Sequence, residues 1–145
     1  MNTHSLDAVY IPLKVTFGLV PLIAGIDKFT NLLTQWDAYL APAIRQLLPF
    51  APLTFMRVAG VIEIVVGLAI LTAFTRLGAF VAMGWLIAIS VNLILAGYLD
   101  VAVRDLTMAV GAYSLGTIAG LKGLAWLPDF TPHAAEVGIH AHSTR

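Results

Sequence analysis

Residues 54–74 read Thr-Phe-Met-Arg-Val-Ala-Gly-Val-Ile-Glu-Ile-Val-Val-Gly-Leu-Ala-Ile-Leu-Thr-Ala-Phe, an apolar run of membrane-crossing length with one carboxylate, Glu63, near its middle. A charge at the centre of a membrane helix costs about 3 kcal/mol, whereas each Val, Ile, Leu or Phe returns about 0.3–0.6 kcal/mol. The apolar residues outweigh the charge, so the segment still inserts. Insertion leaves the carboxylate itself unexplained, and an ionisable side chain at membrane depth requires a partner and points to a functional site.

The rest of the chain is of the same kind: 59% of its residues are hydrophobic and 11% charged, against about 25% charged in a soluble domain. With a formal net charge of 0 and no cluster of Lys and Arg, the chain has no nucleic-acid footprint. The absence of cysteine excludes disulfides, thiolate metal sites and iron–sulfur ligation. His4, His133, His140 and His142 lie outside the apolar runs, so no intramembrane histidine can hold a haem. No intrinsic cofactor and no catalysis by this chain alone are therefore expected, and electron chemistry would need a borrowed carrier. His133, His140 and His142 form at most a surface metal site; solvated tail histidines are the plainer reading. Residues 1–7 are polar and lack the basic start and short apolar core of a cleavable signal, so the first apolar run is expected to stay as a helix.

Taken in order, the pattern predicts an all-α fold: an integral membrane four-helix bundle with spans at 9–32, 54–74, 78–98 and 101–121. A short amphipathic helix at 34–48, rich in Trp36, Asp37, Tyr39 and Arg45 and broken by prolines, is expected to lie at the membrane surface between the first two spans and to act as a lid. Residues 1–127 form the transmembrane domain and residues 128–145 a tail expected to be mobile beyond Pro132. Steps of four and three place Lys14, Gly18, Pro21, Gly25 and Lys28 on one stripe of the first span. The second span has Met56, Gly60, Glu63, Gly67 and Ile70, and the fourth has Asp105, Ala109, Ala112, Gly116 and Ala119. Small residues on one stripe let membrane helices approach closely, so these faces should meet protein. Pro21 should kink the first helix.

Charges of opposite sign recur near one end of three spans: Asp27 with Lys28, Arg57 with Glu63, Arg104 with Asp105. Arg57 and Glu63 stand about 9 Å apart along their helix and about 120° apart around it, so each needs a partner elsewhere. The expected pairs are Glu63 with Lys28, and Arg57 with Asp105 or Asp100. Two readings of the cluster stay open. It is a set of buried ion pairs that fixes helix order, or it is a polar pocket for a small polar or quinone-type head group, with Glu63 as the proton-accepting member. Candidate ligand-binding residues are Glu63, Lys28, Arg57, Arg104 and Asp105, with Asn92 and Trp85 on the third span as secondary members. If Lys28, Arg57 and Arg104 are set aside as buried and paired, the loop charges place both termini in the cytoplasm.

Three stretches together resemble the DoxX family of small bacterial membrane proteins: Phe17-Gly-Leu-Val-Pro-Leu-Ile-Ala-Gly-Ile-Asp-Lys-Phe29, then Gly60-Val-Ile-Glu-Ile-Val-Val-Gly-Leu68 followed by Thr75-Arg76, then Tyr98-Leu-Asp-Val-Ala-Val-Arg-Asp-Leu106. The resemblance spans residues 9–121 and departs from the family at Lys14, where an arginine is expected. It implies a four-helix bundle in the bacterial cytoplasmic membrane, whose recurring polar residues fall on Lys28, Glu63, Arg104 and Asp105. It also implies a partnership with quinone-linked oxidoreductases, with a quinone as the ligand. The rival expectations are a purely structural anchor, including a homo-oligomer built through the small-residue stripes of the first and fourth spans, and a small-solute transporter. Common to all of them are the lipid bilayer and the absence of a nucleic-acid partner.

Overall fold

Helix α1 runs Thr3–Thr30, followed by a single 3-10 turn at Trp36–Tyr39, a short α2 at Pro42–Leu47, and the long helices α3 (Pro52–Leu71), α4 (Thr75–Ala96) and α5 (Leu99–Leu121). The computed structural model describes residues 3–127, and among these there is no strand. The histidines of the tail, His133, His140 and His142, and the tail's expected mobility lie outside the described residues.

Three helices are long and apolar enough to cross a membrane: α1 over Leu6–Thr30, α3 and α4. Only 22%, 39% and 22% of their apolar windows are buried within the protein. The remainder faces outward through Val15, Ile23, Val61, Val65, Val91 and Leu95, all exposed. Such a belt needs an apolar surrounding rather than water. Helix α5 is as long but opens on Asp100, Arg104 and Asp105, and it falls short of that apolarity.

The packing is most extensive between α1 and α3 and between α4 and α5, with α3 against α4 and α1 against α5 joining the two pairs. Glycine makes the α1–α3 contact possible. A β-carbon on Gly25 would stand 2.6 Å from the Gly60 carbonyl oxygen, and one on Gly67 would stand 2.6 Å from that of Gly18. Backbone therefore lies on backbone at two levels, where dispersion over many close atom pairs replaces side-chain interdigitation. The three expected stripes are buried faces: Met56, Gly60, Glu63, Gly67 and Ile70 on α3, and Asp105, Ala109, Ala112, Gly116 and Ala119 on α5, with Gly18, Gly25 and Lys28 on α1. Because these stripes are covered within one chain, a homo-oligomer would have to use other faces.

The apolar core, with Phe17, Val66, Ile70, Ala79, Ala112 and Leu115 among its members, fills the space between the helices. Thr75, buried at 1% exposure, donates its hydroxyl to the Ile70 carbonyl and closes the α3–α4 turn.

Several boundaries differ from the hydropathy pattern. The α3–α4 connection is residues 72–74, with Thr75 and Arg76 already helical, and the α4–α5 connection is Gly97 and Tyr98 rather than Leu99 and Asp100. Gly97 takes the left-handed conformation (φ 87°) that ends a helix at low steric cost. The interfacial helix is two pieces rather than one. Pro42 lacks an N–H and holds Ala41 extended (φ −57°, ψ 137°), which separates the 3-10 turn from α2. Helix α1 continues unbroken through Pro12 and Pro21.

Candidate functional site

The glycine crossing sets the site. Lys28 follows Gly25 by one turn on α1, and Glu63 follows Gly60 by one turn on α3, so the close backbone contact brings the two charged side chains face to face. Lys28 Nζ lies 2.5 Å from Glu63 Oε2, and the two side chains are 6% and 7% exposed. The expected Lys28–Glu63 pair is present. Trp85, from α4, donates its indole N–H to the other carboxylate oxygen at 3.3 Å.

Above the ammonium sits a second indole. The Trp36 ring centroid is 3.7 Å from Lys28 Nζ, a cation–π contact that gains strength where water is excluded. The Trp36 indole N–H is held by Asp27 Oδ2 at 2.8 Å. Asp27, 5% exposed, also accepts from the Thr30 hydroxyl at 2.9 Å and from the amides of Leu32 at 2.8 Å and Leu33 at 3.0 Å. Four donors thus converge on its carboxylate. The geometry comes from Asn31, whose left-handed backbone (φ 52°) turns the chain at the end of α1 so that the next two amides point back. The result is a continuous relay, Asp27–Trp36–Lys28–Glu63–Trp85, in which the connector after α1 is folded over the ion pair.

The far end of that connector is fixed by Asn92. Its side-chain N–H donates to the Tyr39 carbonyl at 2.8 Å, and its side-chain oxygen accepts from the Ala41 amide at 2.9 Å. Asn92 therefore holds the strap from α4, while Trp85, on the same helix, reaches the carboxylate.

Other expected members lie apart. Arg57 is exposed and makes no hydrogen bond or ion pair among the described residues; its azimuth on α3 turns it away from Glu63. The expected bond from Arg57 to Asp105 or Asp100 does not form, and Asp100 is exposed. Asp105 is 7% exposed, and its bond is to its neighbour Arg104 at 3.3 Å, whose side chain is 68% exposed. Lys28 is within electrostatic reach of Asp105. With Arg57 and Arg104 exposed, only Lys28 can be set aside in the orientation argument, which then rests on a near tie of basic residues.

Two residues outside the candidate set prove central: Asp27 and Trp36. Asp27 was visible as half of a charged pair and Trp36 as a surface aromatic. Their partners, however, are turn amides and an indole N–H, which no helical periodicity reveals. The readable signal was the run Asp27-Lys28-Phe29-Thr30-Asn31, a charged helix end followed by a residue tolerant of left-handed backbone.

A groove of about 310 Å³ lined by Ile23, Ile26, Leu32 and Leu33 ends on Asp27 and Thr30, on the outward side of α1. A second, of about 290 Å³, lies beneath the strap between Ala38, Leu40, Pro42, Arg45, Ala96 and Tyr98. Glu63 lines neither. No family model, no curated protein and no solved structure matches the chain, so the reading of the site rests on its geometry alone.

Proposed function

We propose that this chain is a DoxX-like integral subunit of the bacterial cytoplasmic membrane. In this reading α1, α3, α4 and α5 cross the membrane as a four-helix bundle with both termini cytoplasmic, and the chain works beside a quinone-linked redox enzyme. The observation that carries it is the apolar groove on the outer face of α1 whose polar end is Asp27, the carboxylate that holds Trp36 over the Lys28–Glu63 pair. An isoprenoid tail suits the Ile23, Ile26, Leu32 and Leu33 walls, and a quinone head group suits the polar end. Asp27 and Thr30 line the polar end of the groove, while Lys28 and Trp85 lie behind it, bonded to Glu63, so a head group would reach them and the proton-accepting Glu63 only by displacing those contacts. The test is titration of the purified full chain in mild detergent with a short-chain benzoquinone, read by tryptophan fluorescence. Saturable quenching that weakens in Glu63→Gln and Trp36→Phe supports the reading; quenching that stays linear with concentration in the wild type overturns it.

A second reading, that of a structural anchor, draws on the same pair: Glu63 is already satisfied on both oxygens and sealed from solvent. Buried ion pairs of this kind fix helix register without binding anything. Under it, Glu63→Gln lowers thermal stability in detergent without touching any ligand response, and a compensating change at Lys28 partly restores it. A transporter receives no comparable support, because the apolar core of Phe17, Val66, Ile70 and Leu115 stands between the relay and the polar residues at the other end.

A further inference from the structure

At the end of the molecule opposite the relay, where α1 and α4 begin and α3 and α5 finish, the described charges are Lys14, Arg76, Lys122 and a single acid, Asp7. Lys122 is paired with Asp7, and Lys14 donates to the Thr72 carbonyl at 3.1 Å. Arg76 has no carboxylate among the described residues. Its Nη1 donates to the Leu124 carbonyl at 3.3 Å, while its Nε is buried without a partner. The guanidinium carbon lies 4.1 Å from the Trp126 ring centroid. Gly120 makes room for it, since a β-carbon there would stand 3.3 Å from both Cζ and Nε.

We propose that Arg76, stacked on Trp126, binds the phosphate of an anionic phospholipid in the leaflet opposite the Lys28–Glu63 relay. A guanidinium offers five N–H donors, and one is used here by a protein carbonyl. Its fork matches two oxygens of a phosphate, and the indole face 4.1 Å away helps to hold the guanidinium in place. Trp126 is 47% exposed and of the type that settles at headgroup depth. Exposed Leu127, next in sequence, and exposed Tyr113, which shares the Phe80 ring with Trp126, provide apolar surface for acyl chains. Arg76 also sits in the first turn of α4, where unpaired backbone amides favour an anion. Lys14 and Lys122 add positive potential at the same end.

The proposal rests on the membrane reading, and its test separates the two. The full chain is reconstituted in vesicles of mixed phosphatidylglycerol and phosphatidylcholine, extracted in mild detergent, and the retained lipid is measured by mass spectrometry. Failure to sediment with the vesicles would remove the membrane reading itself. Given incorporation, wild type is expected to retain phosphatidylglycerol over phosphatidylcholine, and Arg76→Gln to lose about fivefold of that preference. Arg76→Lys, which keeps the charge and loses the fork, should fall between them. Equal retention of both lipids by the wild type overturns the proposal whether or not the variants fold, as does a preference unchanged in Arg76→Gln. Displacement of the lipid by inorganic phosphate would make free phosphate the ligand and overturn the lipid assignment. A several-fold gain of retention in Asp129→Asn would make the tail's carboxylate the natural occupant, with the same effect.

Discussion

The carbonyl oxygen of Gly25 lies 2.7 Å from the position a β-carbon on Gly60 would take. That contact brings α1 and α3 close enough for Lys28 to meet Glu63, so the ion pair is built on the absence of two side chains. Gly60→Ala should force the helices apart and cost about 1–3 kcal/mol, as overpacking of a tight contact does. Gly84→Ala is the control. Nothing stands within 4 Å of a β-carbon there, so relief of the glycine penalty should raise stability by about 0.5–1 kcal/mol. Thermal unfolding of the two variants in the same detergent checks the opposite signs.

Lys28→Met leaves a carboxylate buried without its cation, and Glu63→Gln leaves the cation without its carboxylate. Each should cost about 3–5 kcal/mol, the usual consequence of breaking a buried pair from one side. The double variant should cost less than the sum, because neither uncompensated charge survives. A double-mutant cycle measured by unfolding gives the coupling directly, and additive losses would show that the pair contributes nothing as a pair.

Asp27→Asn keeps the shape but offers a single acceptor oxygen to four donors. The amides of Leu32 and Leu33 and the Trp36 indole cannot all be satisfied, so the strap should loosen at its α1 end. Hydrogen exchange should accelerate at Leu32 and Leu33 while Ala41, held by Asn92, stays protected. Asn92→Leu should produce the reverse pattern, with a loss of about 1–3 kcal/mol for the buried groups left unpaired. Uniform acceleration in both variants would mean that the two ends of the strap are not held separately.

A chain without cysteine is ready for single-cysteine labelling. If both termini are cytoplasmic, as proposed, a cysteine at Ala73 should react with an impermeant maleimide only from the cytoplasmic side. One at Leu33, at the other end of α1 and α3, should react from outside. The opposite pattern would invert the orientation and move the Arg76 site to the outer leaflet.

The long helices and their inward faces were legible because glycine and alanine recur at helical spacing on faces that carry Glu63 and Asp105. The Lys28–Glu63 pair followed from the cost of leaving either charge alone in an apolar interior. Helix ends were less legible: hydropathy marks where apolar residues lie, whereas α1 and α4 extend into the polar residues before their apolar runs. The partner of Arg57 was misread because its charge was taken to require burial, while its azimuth leaves it at the surface. Trp36 was read as an interface aromatic because nothing local marks a side chain that folds back over its own helix. Its placement depends on one left-handed residue, Asn31, and on a carboxylate receiving turn amides.

The two-residue hairpin at Gly97 and Tyr98 ties the fate of α5 to that of α4. On the four-span reading, the least apolar of the long helices would enter with its predecessor, its Asp105 and alanine face laid against α4. On that reading, a chain stopped within α5 during synthesis would leave that segment stranded at the surface. If α5 crosses as proposed, it enters as part of a pair, with the α4–α5 hairpin rather than α5 alone as the unit.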